Sequence, residues 1–384
     1  MADFTIPRHV FTGENALTEA VKTMKTLGGK AFIVTGPHVV KSPMMENLKT
    51  KLKEVGLEYF VFSDITGEPT DEMIEEGTKC FKDSKADFII GMGGGSPLDS
   101  AKAIAVMSKS NGSISDFLGK DIEGVFPAIV AIPTTAGTGS EATKFTVITD
   151  KKTDVKMLLK GESILPRIAV LCPGFTDDMP KGVTAATGLD ALTHAIEAYI
   201  SRKATPLTDV YAVSAVKRIM EYLPTAYKNG YDKKAREEMV LAAFEAGVCI
   251  NNSSVTIVHG MSRPIGALFH VPHGKSNAML LGKCLSYIMC SALERFAHLG
   301  RITGAALDTE DDETAAKKFI CRVEEIVKIC EIPTLREYGI NEAEFKKQMG
   351  KMAEDAILSG SPGNAPVYIS KEDCLTIYEQ LISL

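Results

Sequence analysis

The sequence lacks the features that mark secreted, membrane-spanning and nucleic-acid-binding proteins. Its start has neither the basic segment nor the apolar segment of a secretory signal, and no apolar run approaches the ~20 residues that span a membrane. The formal net charge is −6 at pH 7, whereas non-specific binding to nucleic acid needs an excess of basic residues. We therefore expect a cytoplasmic protein that binds neither membranes nor nucleic acid.

Paired cysteine motifs are also absent. The eight cysteines are scattered, and none of them forms a CxxC pair. In a chain of 384 residues, this usage is typical of buried thiols in a reducing compartment rather than of disulfides or a cysteine metal site. The length predicts two domains, since a single core rarely grows beyond about 250–300 residues.

The first half of the sequence alternates short apolar runs with amphipathic segments. Four runs are typical of buried strands, at residues 30–35, 59–63, 87–91 and 128–132. Helical patterns lie near residues 41–54, 70–84 and 97–108, and residues 143–159 are typical of a hairpin. Apolar strands that alternate with helices predict a Rossmann-like parallel sheet covered on both faces.

The pattern changes near residue 180. Beyond this point the apolar residues recur at helical spacing, first over residues 185–200, 206–227 and 234–250, and strand-like runs disappear. The sequence thus predicts an α/β domain over residues 1–179, followed by an all-helical domain over residues 180–384.

A glycine-rich segment follows the third predicted strand. Gly93, Gly94 and Gly95 precede Ser96 and Pro97, and a predicted helix follows. Glycine allows the backbone to approach a ligand closely, and the amide groups at a helix N-terminus attract anions. Because Ser96 stands at the third glycine position of GxGxxG, the standard dinucleotide fingerprint is absent. The segment predicts a phosphate-binding loop, and a tight turn without a ligand is the alternative.

A second candidate loop follows the next predicted strand, where residues 133–141 have the sequence PTTAGTGSE. Its hydroxyl groups and glycines can bind a polar ligand without adding bulk. Open α/β sheets bind ligands at the carboxyl ends of their strands. Two such loops on successive strands therefore predict a nucleotide site.

Four polar residues of the helical half indicate a metal site. Asp190 and His194 are four residues apart in an apolar helical segment, so both side chains lie on one inward face. His259 follows a helix-like run, and Pro272 places His273 at the start of the next helix. One carboxylate and three imidazoles suit Fe(II), Zn(II), Mn(II), Co(II) or Ni(II). The alternative for each histidine is a core residue with a satisfied hydrogen bond.

Together these segments resemble the iron-containing, group III alcohol dehydrogenase family. The resemblance covers essentially the whole chain, and it is carried by PRHVFTG, GGGSPLDSAK, PTTAGTGSE, GLDALTHAIEAY and HGMSRPIGALFHVPHG. It implies a dehydroquinate synthase-like fold, with nucleotide binding by residues 1–179 and metal and substrate binding by residues 180–384. It also implies a homo-oligomer that transfers hydride between NAD(P) and small primary alcohols, diols or their aldehydes, with the substrate oxygen on the metal.

The resemblance also implies roles for individual residues. It places the metal, which is Fe(II) with Zn(II) or another divalent metal as the alternative, on Asp190, His194, His259 and His273. It places the pyrophosphate and further nucleotide contacts on Gly94, Gly95, Ser96, Thr134, Thr135, Thr138 and Lys156. Asp99 and Lys102 also match the family, and we interpret them as helix-surface charges or caps.

Two positions depart from some members of that family. Gly36 replaces an aspartate that bonds the adenosine ribose and repels a 2′-phosphate, so we expect NADP, with NAD as the alternative. Lys41 is close enough in sequence to attract that phosphate. Arg263 replaces a histidine on the substrate side, and we predict His270 as the relay of a proton to solvent. A structural hydrogen bond is the alternative role for His270.

Two other functions fit parts of the pattern. Dehydroquinate synthase and glycerol-phosphate dehydrogenases share the architecture, but they need several basic residues in the helical half to hold an anionic substrate. Near the metal segments we find chiefly Arg263 and Lys275. A nucleotide-binding sensor with a structural metal would bind NAD(P)H without oxidising it.

Overall fold

The computed structural model describes residues 3–153 and 155–382 and divides into two compact units. The first, here called the α/β unit, is Thr5–Asp178. The second, here called the helical unit, contains the described residues 3–4 and 179–382. Phe4 belongs to the helical unit because its ring stacks on Tyr211, with the centroids 6.0 Å apart.

The α/β unit alternates strands with helices along most of its length. Its strands are β1 (His9–Thr12), β2 (Lys30–Val34), β3 (Glu58–Phe62), β4 (Phe88–Gly93), β5 (Ile129–Pro133), β6 (Phe145–Asp150), β7 (Val155–Lys160) and β8 (Ile168–Leu171). Its helices are α1 (Ala16–Met24), α2 (Pro43–Glu54), α3 (Asp71–Ser84) and α4 (Gly95–Met107).

Six of these strands form one parallel sheet in the order β1-β8-β5-β4-β2-β3. Neighbouring residues of a strand face opposite sides, and both sides are buried, as Ile89 and Ile90 of β4 show by joining different core clusters. The chain passes outward from β2 to β3 and then returns to β4, so the topology reverses between β2 and β4. Sheets of this kind bind ligands at such a switch point. The predicted parallel α/β sheet is confirmed.

Strands β1 and β8 were not identifiable from the sequence pattern. Each has only four residues, which is too short for a periodicity to show. They pair with each other in parallel, from His9 with Ile168 to Thr12 with Leu171. Strand β8 also pairs with β5, so both strands are defined by pairing with segments far away in the sequence. Strands β6 and β7 form the antiparallel hairpin that the sequence predicts.

All secondary structure described beyond Met179 is helical. The helices are α5 (Lys181–Ile200), α6 (Pro206–Lys228), α7 (Lys233–Ser253), α8 (Ile257–Phe269), α9 (His273–Ile288), α10 (Leu293–Ile302), α11 (Asp312–Ile329), α12 (Glu342–Leu358) and α13 (Lys371–Ile382), with short 3₁₀ turns between some of them. No single helix in the described part of the chain is long and apolar enough to cross a membrane. Helices α7 and α8, which bend by 103° at their junction, pass that test only as a pair.

Two sequence-based interpretations of side-chain environment need correction. The expectation of buried thiols is wrong for Cys290 and Cys321, which are exposed, although all eight cysteines are free. The interpretation of Lys102 as a surface charge or cap is also wrong, because its side chain is 0% exposed. Spacing along one helix does not reveal whether another segment of the chain covers a given side chain, which is why both interpretations failed.

Candidate metal and nucleotide sites

Helix α5 carries a carboxylate and an imidazole on its buried face. Asp190 and His194 lie about one turn apart, and both are buried. The distance from Asp190 Oδ1 to His194 Nε2 is 3.9 Å. Gly188 lets α6 pack tightly against this part of α5, since a Cβ at Gly188 would lie 2.4 Å from Leu223 Cδ1. The part of α5 that carries Asp190 and His194 is therefore packed closely against α6.

Two further helices bring histidines to the same carboxylate. His259 lies in the first turn of α8, shortly after α7 ends at Ser253, and His273 begins α9. Their Nε2 atoms lie 3.6 and 3.7 Å from Asp190 Oδ1. The rings of His194 and His259 stack with centroids 4.6 Å apart. The structure therefore brings all four sequence-predicted ligands together.

The chemistry of this donor set fits a divalent cation. Ligand atoms of Asp190, His259 and His273 all lie within 4.8 Å of one another. Burial alone raises the pKa of Asp190, but the imidazoles, with His194 first, hold that pKa well below its ordinary value. An ionised carboxylate among imidazole nitrogens is a ligand set that Fe(II) or Zn(II) accepts.

His273 reaches the cluster because α9 begins directly against α5. A Cβ on Gly274 would lie 2.3 Å from the carbonyl oxygen of Ala186. Only glycine permits such an approach of two backbones. Pro272 is the N-cap of α9, so the Pro272-His273-Gly274 sequence both starts the helix and allows its close contact with α5.

Glu197 is a site residue that sequence reasoning missed. Its side chain is 0% exposed, and its Oε2 accepts a hydrogen bond from His259 Nδ1 at 2.6 Å. Its Oε1 accepts from Thr256 Oγ1 and from the Val258 amide. A carboxylate at Nδ1 leaves Nε2 of His259 free to face Asp190. The signal in the sequence was its position three residues after His194, on the same helix face.

Asn277 is a second missed residue, one turn after His273 on α9. Its Nδ2 donates to Asp190 Oδ1 at 2.6 Å and lies 3.1 Å from His259 Nε2 and 3.2 Å from His273 Nε2. The amide therefore fixes the carboxylate from the side of α9. The i, i+4 spacing to His273 was the available signal.

The residues considered for proton transfer lie on and after α8. His270 is exposed and has a left-handed backbone with φ +53°, and its carbonyl accepts a 3.4 Å hydrogen bond from Tyr338. Arg263 lies one turn after His259 and donates to Ser361 Oγ at 2.9 Å. Neither contact involves the His270 imidazole, so its role as a proton relay stays a prediction.

In the α/β unit, helix α4 begins directly at the end of β4. Gly93 has φ +151°, and a Cβ there would lie 2.6 Å from Pro97 Cγ, so this turn requires glycine. Gly94 is the N-cap, and no described side chain caps the helix. Gly94, Gly95 and Ser96 stay partly exposed. The uncapped amide groups of this helix N-terminus suit an anion such as a phosphate.

The second predicted loop lies against the first. The Thr134 amide donates to the Gly93 carbonyl at 2.9 Å. A Cβ on Gly95 would lie 3.1 Å from Thr138 Cγ2, and one on Gly94 would lie 3.5 Å from Thr135 Cγ2. Thr134 is buried, whereas Thr135 and Thr138 are partly exposed. The structure thus joins the two loops into one polar surface at the carboxyl ends of β4 and β5.

Two other predicted nucleotide residues lie outside this surface. Gly36 follows β2 at the switch point, and Thr35 Oγ1 donates to the Met92 carbonyl, which ties the end of β2 to the end of β4. A Cβ on Gly36 would lie 3.0 Å from the Ile65 carbonyl oxygen. Lys156 lies exposed on β7, and its Nζ pairs with Glu68 at 2.7 Å. Its contact with a nucleotide stays a prediction.

Fold and sites together define a class of protein: a doubly wound sheet with anion-binding loops, accompanied by a helical unit with a buried carboxylate–imidazole cluster. Comparisons with known proteins identify the family. Residues 7–173 match the family described as iron-containing alcohol dehydrogenase, and residues 184–382 match the Fe-containing alcohol dehydrogenase family, C-terminal. The chain therefore belongs to the iron-containing alcohol dehydrogenase family.

Individual relatives agree with this assignment. The chain is 36% identical to the NAD-dependent methanol dehydrogenase of Bacillus methanolicus, covering 96% of this chain and 97% of the relative. It is also 36% identical to the NADPH-dependent butanol dehydrogenase of Clostridium saccharobutylicum, covering 99% and 97%. A crystal structure of 1,3-propanediol oxidoreductase superposes with a TM-score of 0.95 at 33% identity, covering 99% and 100%.

The predicted activity follows from this family membership. The chain is a metal-dependent, NAD(P)-linked oxidoreductase of the alcohol dehydrogenase type. The comparisons do not favour the alternatives of a dehydroquinate synthase, a glycerol-phosphate dehydrogenase or a non-catalytic sensor.

Proposed function

We propose that this enzyme interconverts small primary alcohols or diols and their aldehydes, and that Asp190, His194, His259 and His273 hold its metal. The observation that carries the proposal is the convergence of one buried carboxylate and three imidazoles from α5, α8 and α9. The substrate class is supported by relatives named for methanol, butanol and 1,3-propanediol.

A divalent cation, proposed as Fe(II), supplies Lewis-acid polarisation of the substrate oxygen when it is bound. The chain's own residues prepare the site for it. Glu197 orients His259 through a 2.6 Å hydrogen bond, and Asn277 orients the Asp190 carboxylate. The low pKa of Asp190 keeps this carboxylate ionised and available as a ligand at neutral pH.

The two loops of the α/β unit are proposed to hold the nucleotide. The amides of Gly94, Gly95 and Ser96 suit the pyrophosphate. The hydroxyl groups of the second loop suit the remaining polar atoms, and the exposed Lys156 is proposed to contact the nicotinamide ribose. These contacts would orient the nucleotide for hydride transfer, which is the chemistry of the cofactor itself.

NADPH is proposed as the favoured nucleotide, with NADH as the alternative. At Gly36 there is no carboxylate to repel a 2′-phosphate, and Lys41 lies exposed in the same segment. His270 is proposed to exchange the proton with solvent, which its exposure permits. In this assignment His270→Ala slows turnover and changes the pH–rate profile while the metal stays bound. An unchanged profile would contradict it.

We further propose that the enzyme is a cytoplasmic homo-oligomer that binds neither membranes nor nucleic acid. The eight free cysteines support a reducing compartment, and the net charge of −6 gives no general attraction to nucleic acid. The oligomeric state rests on the family resemblance.

The activity is tested by an oxidation screen. NADPH and NADH are supplied to the enzyme loaded with Fe(II) or Zn(II), against aldehydes of two to six carbons. We expect turnover with at least one short aldehyde and the larger kcat/KM with NADPH. Nucleotide binding without oxidation of either cofactor would contradict the proposed substrate class. A kcat/KM about tenfold higher with NADH would contradict only the NADPH preference.

A further inference from the structure

A guanidinium group lies on the same helix as one of the candidate metal ligands. Arg263 follows His259 by about one turn of α8, and side chains four residues apart project from the same face of a helix. His259 uses this face to reach Asp190. Arg263 is partly exposed, so a molecule from solvent can reach its side chain. The face of α8 that carries a metal ligand therefore also presents a positive charge.

The positive charge of Arg263 has no carboxylate partner among the described residues. The neutral Ser361 Oγ accepts a hydrogen bond from Arg263 Nη1 at 2.9 Å. Glu197 opposes the lowering of the Arg263 pKa by burial, but both Glu197 oxygens already accept hydrogen bonds from donors at the start of α8. A guanidinium has five N–H donors in a planar fork that matches the two oxygens of a carboxylate. Most of these donors therefore stay available to a ligand.

The hydroxyl group that accepts from this guanidinium belongs to a segment held against α8. Ser361 is buried. The next residue, Pro362, packs on the helix so closely that a Cβ on Gly260 would lie 2.6 Å from Pro362 Cδ. Asn364 Nδ2 donates to the Val255 carbonyl just before α8, at 3.0 Å. The guanidinium is thus held in place before a ligand arrives, which lowers the entropic cost of binding one.

The candidate metal site is most accessible at His273. The His273 side chain is 46% exposed, whereas the side chains of Asp190, His194 and His259 are at most 7% exposed. We therefore expect a substrate to approach the site beside His273. Burial is the main reason that the pKa of His273 is lowered to about 4, and the charge of Arg263 contributes to this shift. The guanidinium is thus within electrostatic range of the accessible ligand.

The metal-loaded site has an excess of positive charge. The carboxylates of Asp190 and Glu197 balance a divalent cation, because imidazole ligands are neutral. Arg263 adds a positive charge that no carboxylate of the described residues pairs. An anionic group on the substrate would restore the charge balance, and Coulomb attraction in a partly buried site is stronger than in bulk water.

We propose that Arg263 binds a carboxylate of the substrate, and that the enzyme acts preferentially on ω-hydroxy acids and the corresponding ω-oxo acids. One carboxylate fits one guanidinium through two parallel hydrogen bonds, whereas a substrate with several negative charges needs several basic residues. The inference rests on the proposed function, and it narrows the substrates to alcohols and aldehydes that carry a carboxylate.

The first test compares aldehydes of the same shape but different charge in the wild-type enzyme, so it does not depend on the folding of a variant. In 4-methylpentanal an isopropyl group replaces the carboxylate of succinate semialdehyde. Glyoxylate and 2-methylpropanal form a shorter pair of the same kind. We expect kcat/KM to be about tenfold or more higher for the anionic member of at least one pair. No such preference in either pair would overturn the inference.

Arg263→Gln tests the residue itself. It should lower kcat/KM for the preferred anionic aldehyde about 10–100-fold and leave that of its neutral counterpart within about twofold. Arg263→Lys, which keeps the charge but not the fork, should recover part of the loss. The control is Lys275→Gln, which removes a positive charge two residues after His273, where the ammonium lies over the Tyr338 ring. It should match the wild type. Equal losses for both aldehydes in Arg263→Gln would overturn the inference.

A binding measurement separates recognition from turnover. The metal-loaded protein is titrated calorimetrically with 4-hydroxybutanoate in the absence of nucleotide, so that no reaction occurs. The dissociation constant should rise about 10–100-fold in Arg263→Gln, with metal content equal to that of the wild type. An unchanged dissociation constant would overturn the inference. A wild-type enzyme that turns over neutral aldehydes alone would overturn it as well, but would leave the proposed function intact. Absence of turnover with every aldehyde would refute both.

Discussion

The candidate metal site in the helical unit and the candidate nucleotide site in the α/β unit are made of different parts of the chain. The metal site consists of side chains from three helices, of which Asp190, His194 and His259 are buried and His273 is partly accessible. Neighbouring side chains orient two of them, Glu197 at His259 and Asn277 at Asp190. The nucleotide site consists mainly of backbone amides and small hydroxyl groups on partly exposed loops. Substitutions should therefore have large effects in the first site and graded effects in the second.

His259→Ala should have the largest effect. It removes one ligand and leaves Glu197 as a buried carboxylate without its imidazole, so we expect loss of metal and a fall in kcat/KM of about a thousandfold or more. Metal analysis and steady-state kinetics measure this. His298→Ala, at an exposed histidine of the same unit, is the control. Full metal content in His259→Ala would remove this residue from the ligand set.

Gly274→Ala should separate α9 from α5. The new Cβ would meet the Ala186 carbonyl at 2.3 Å, so α9 must shift and carry His273 with it. We expect a loss of about 2–4 kcal/mol in the free energy of unfolding and weaker metal binding. Gly350→Ala is the matched control, because a Cβ there meets nothing within 4 Å. It should gain about 0.5–1 kcal/mol. Equal stability of the two variants would contradict the close approach.

Glu197→Gln tests whether the hydrogen bond between His259 and Glu197 contributes to metal binding. The glutamine cannot supply the negative charge that orients His259, so the metal dissociation constant should rise about 10–100-fold. Competition with a chelator measures this constant, with Glu342→Gln on the exposed start of α12 as the control. An unchanged constant would mean that the hydrogen bond from His259 is not needed to hold the metal.

Gly36→Asp tests the candidate nucleotide site. Here the expected effect comes from charge repulsion between the new carboxylate and the 2′-phosphate, not from metal coordination. Because any Cβ at this position crowds the Ile65 carbonyl, Gly36→Ala must be measured beside it. Relative to the alanine variant, the aspartate should raise the KM for NADPH about tenfold more than the KM for NADH. Equal changes for both nucleotides would argue against a role of this position in recognition of the 2′-phosphate.

Glu141→Gln should have the smallest effect, on stability rather than on ligands. Burial raises the pKa of Glu141 from 4.5 to about 7. Its protonated form is therefore favoured by folding, and this contribution is complete below pH 4.5 and lost as the pH rises through about 7. The Tm of the variant relative to the wild type should increase by about 2–5 °C between pH 5 and pH 8. Exposed Glu58→Gln is the control, and a pH-independent difference would contradict the burial effect.

The same contrast explains what could be predicted from the sequence. His194, His259 and His273 are three of only seven histidines, and Asp190 shares a helix face with one of them. The parallel sheet follows from alternating apolar runs. Glu197 and Asn277 resemble ordinary polar helix residues until three helices meet around Asp190.

The errors have the same physical origin. Lys102 was interpreted as a surface charge because the sequence pattern of α4 carries no information about the distant segment that covers this side chain. Strands β1 and β8 are strands through pairing across most of the α/β unit, which local periodicity cannot reveal. Features that depend on one residue type or one element were predictable, and features that depend on packing between distant segments were not.

The most direct test of the account is an anaerobic Fe(II) titration of the metal-stripped wild-type enzyme, with the rate of NADPH oxidation by a short aldehyde as the readout. The account predicts no turnover at the start and a linear rise to a plateau at one equivalent of iron per chain. It also predicts that His259→Ala shows no such rise. Full turnover before iron is added, or the same titration curve in His259→Ala, would contradict it.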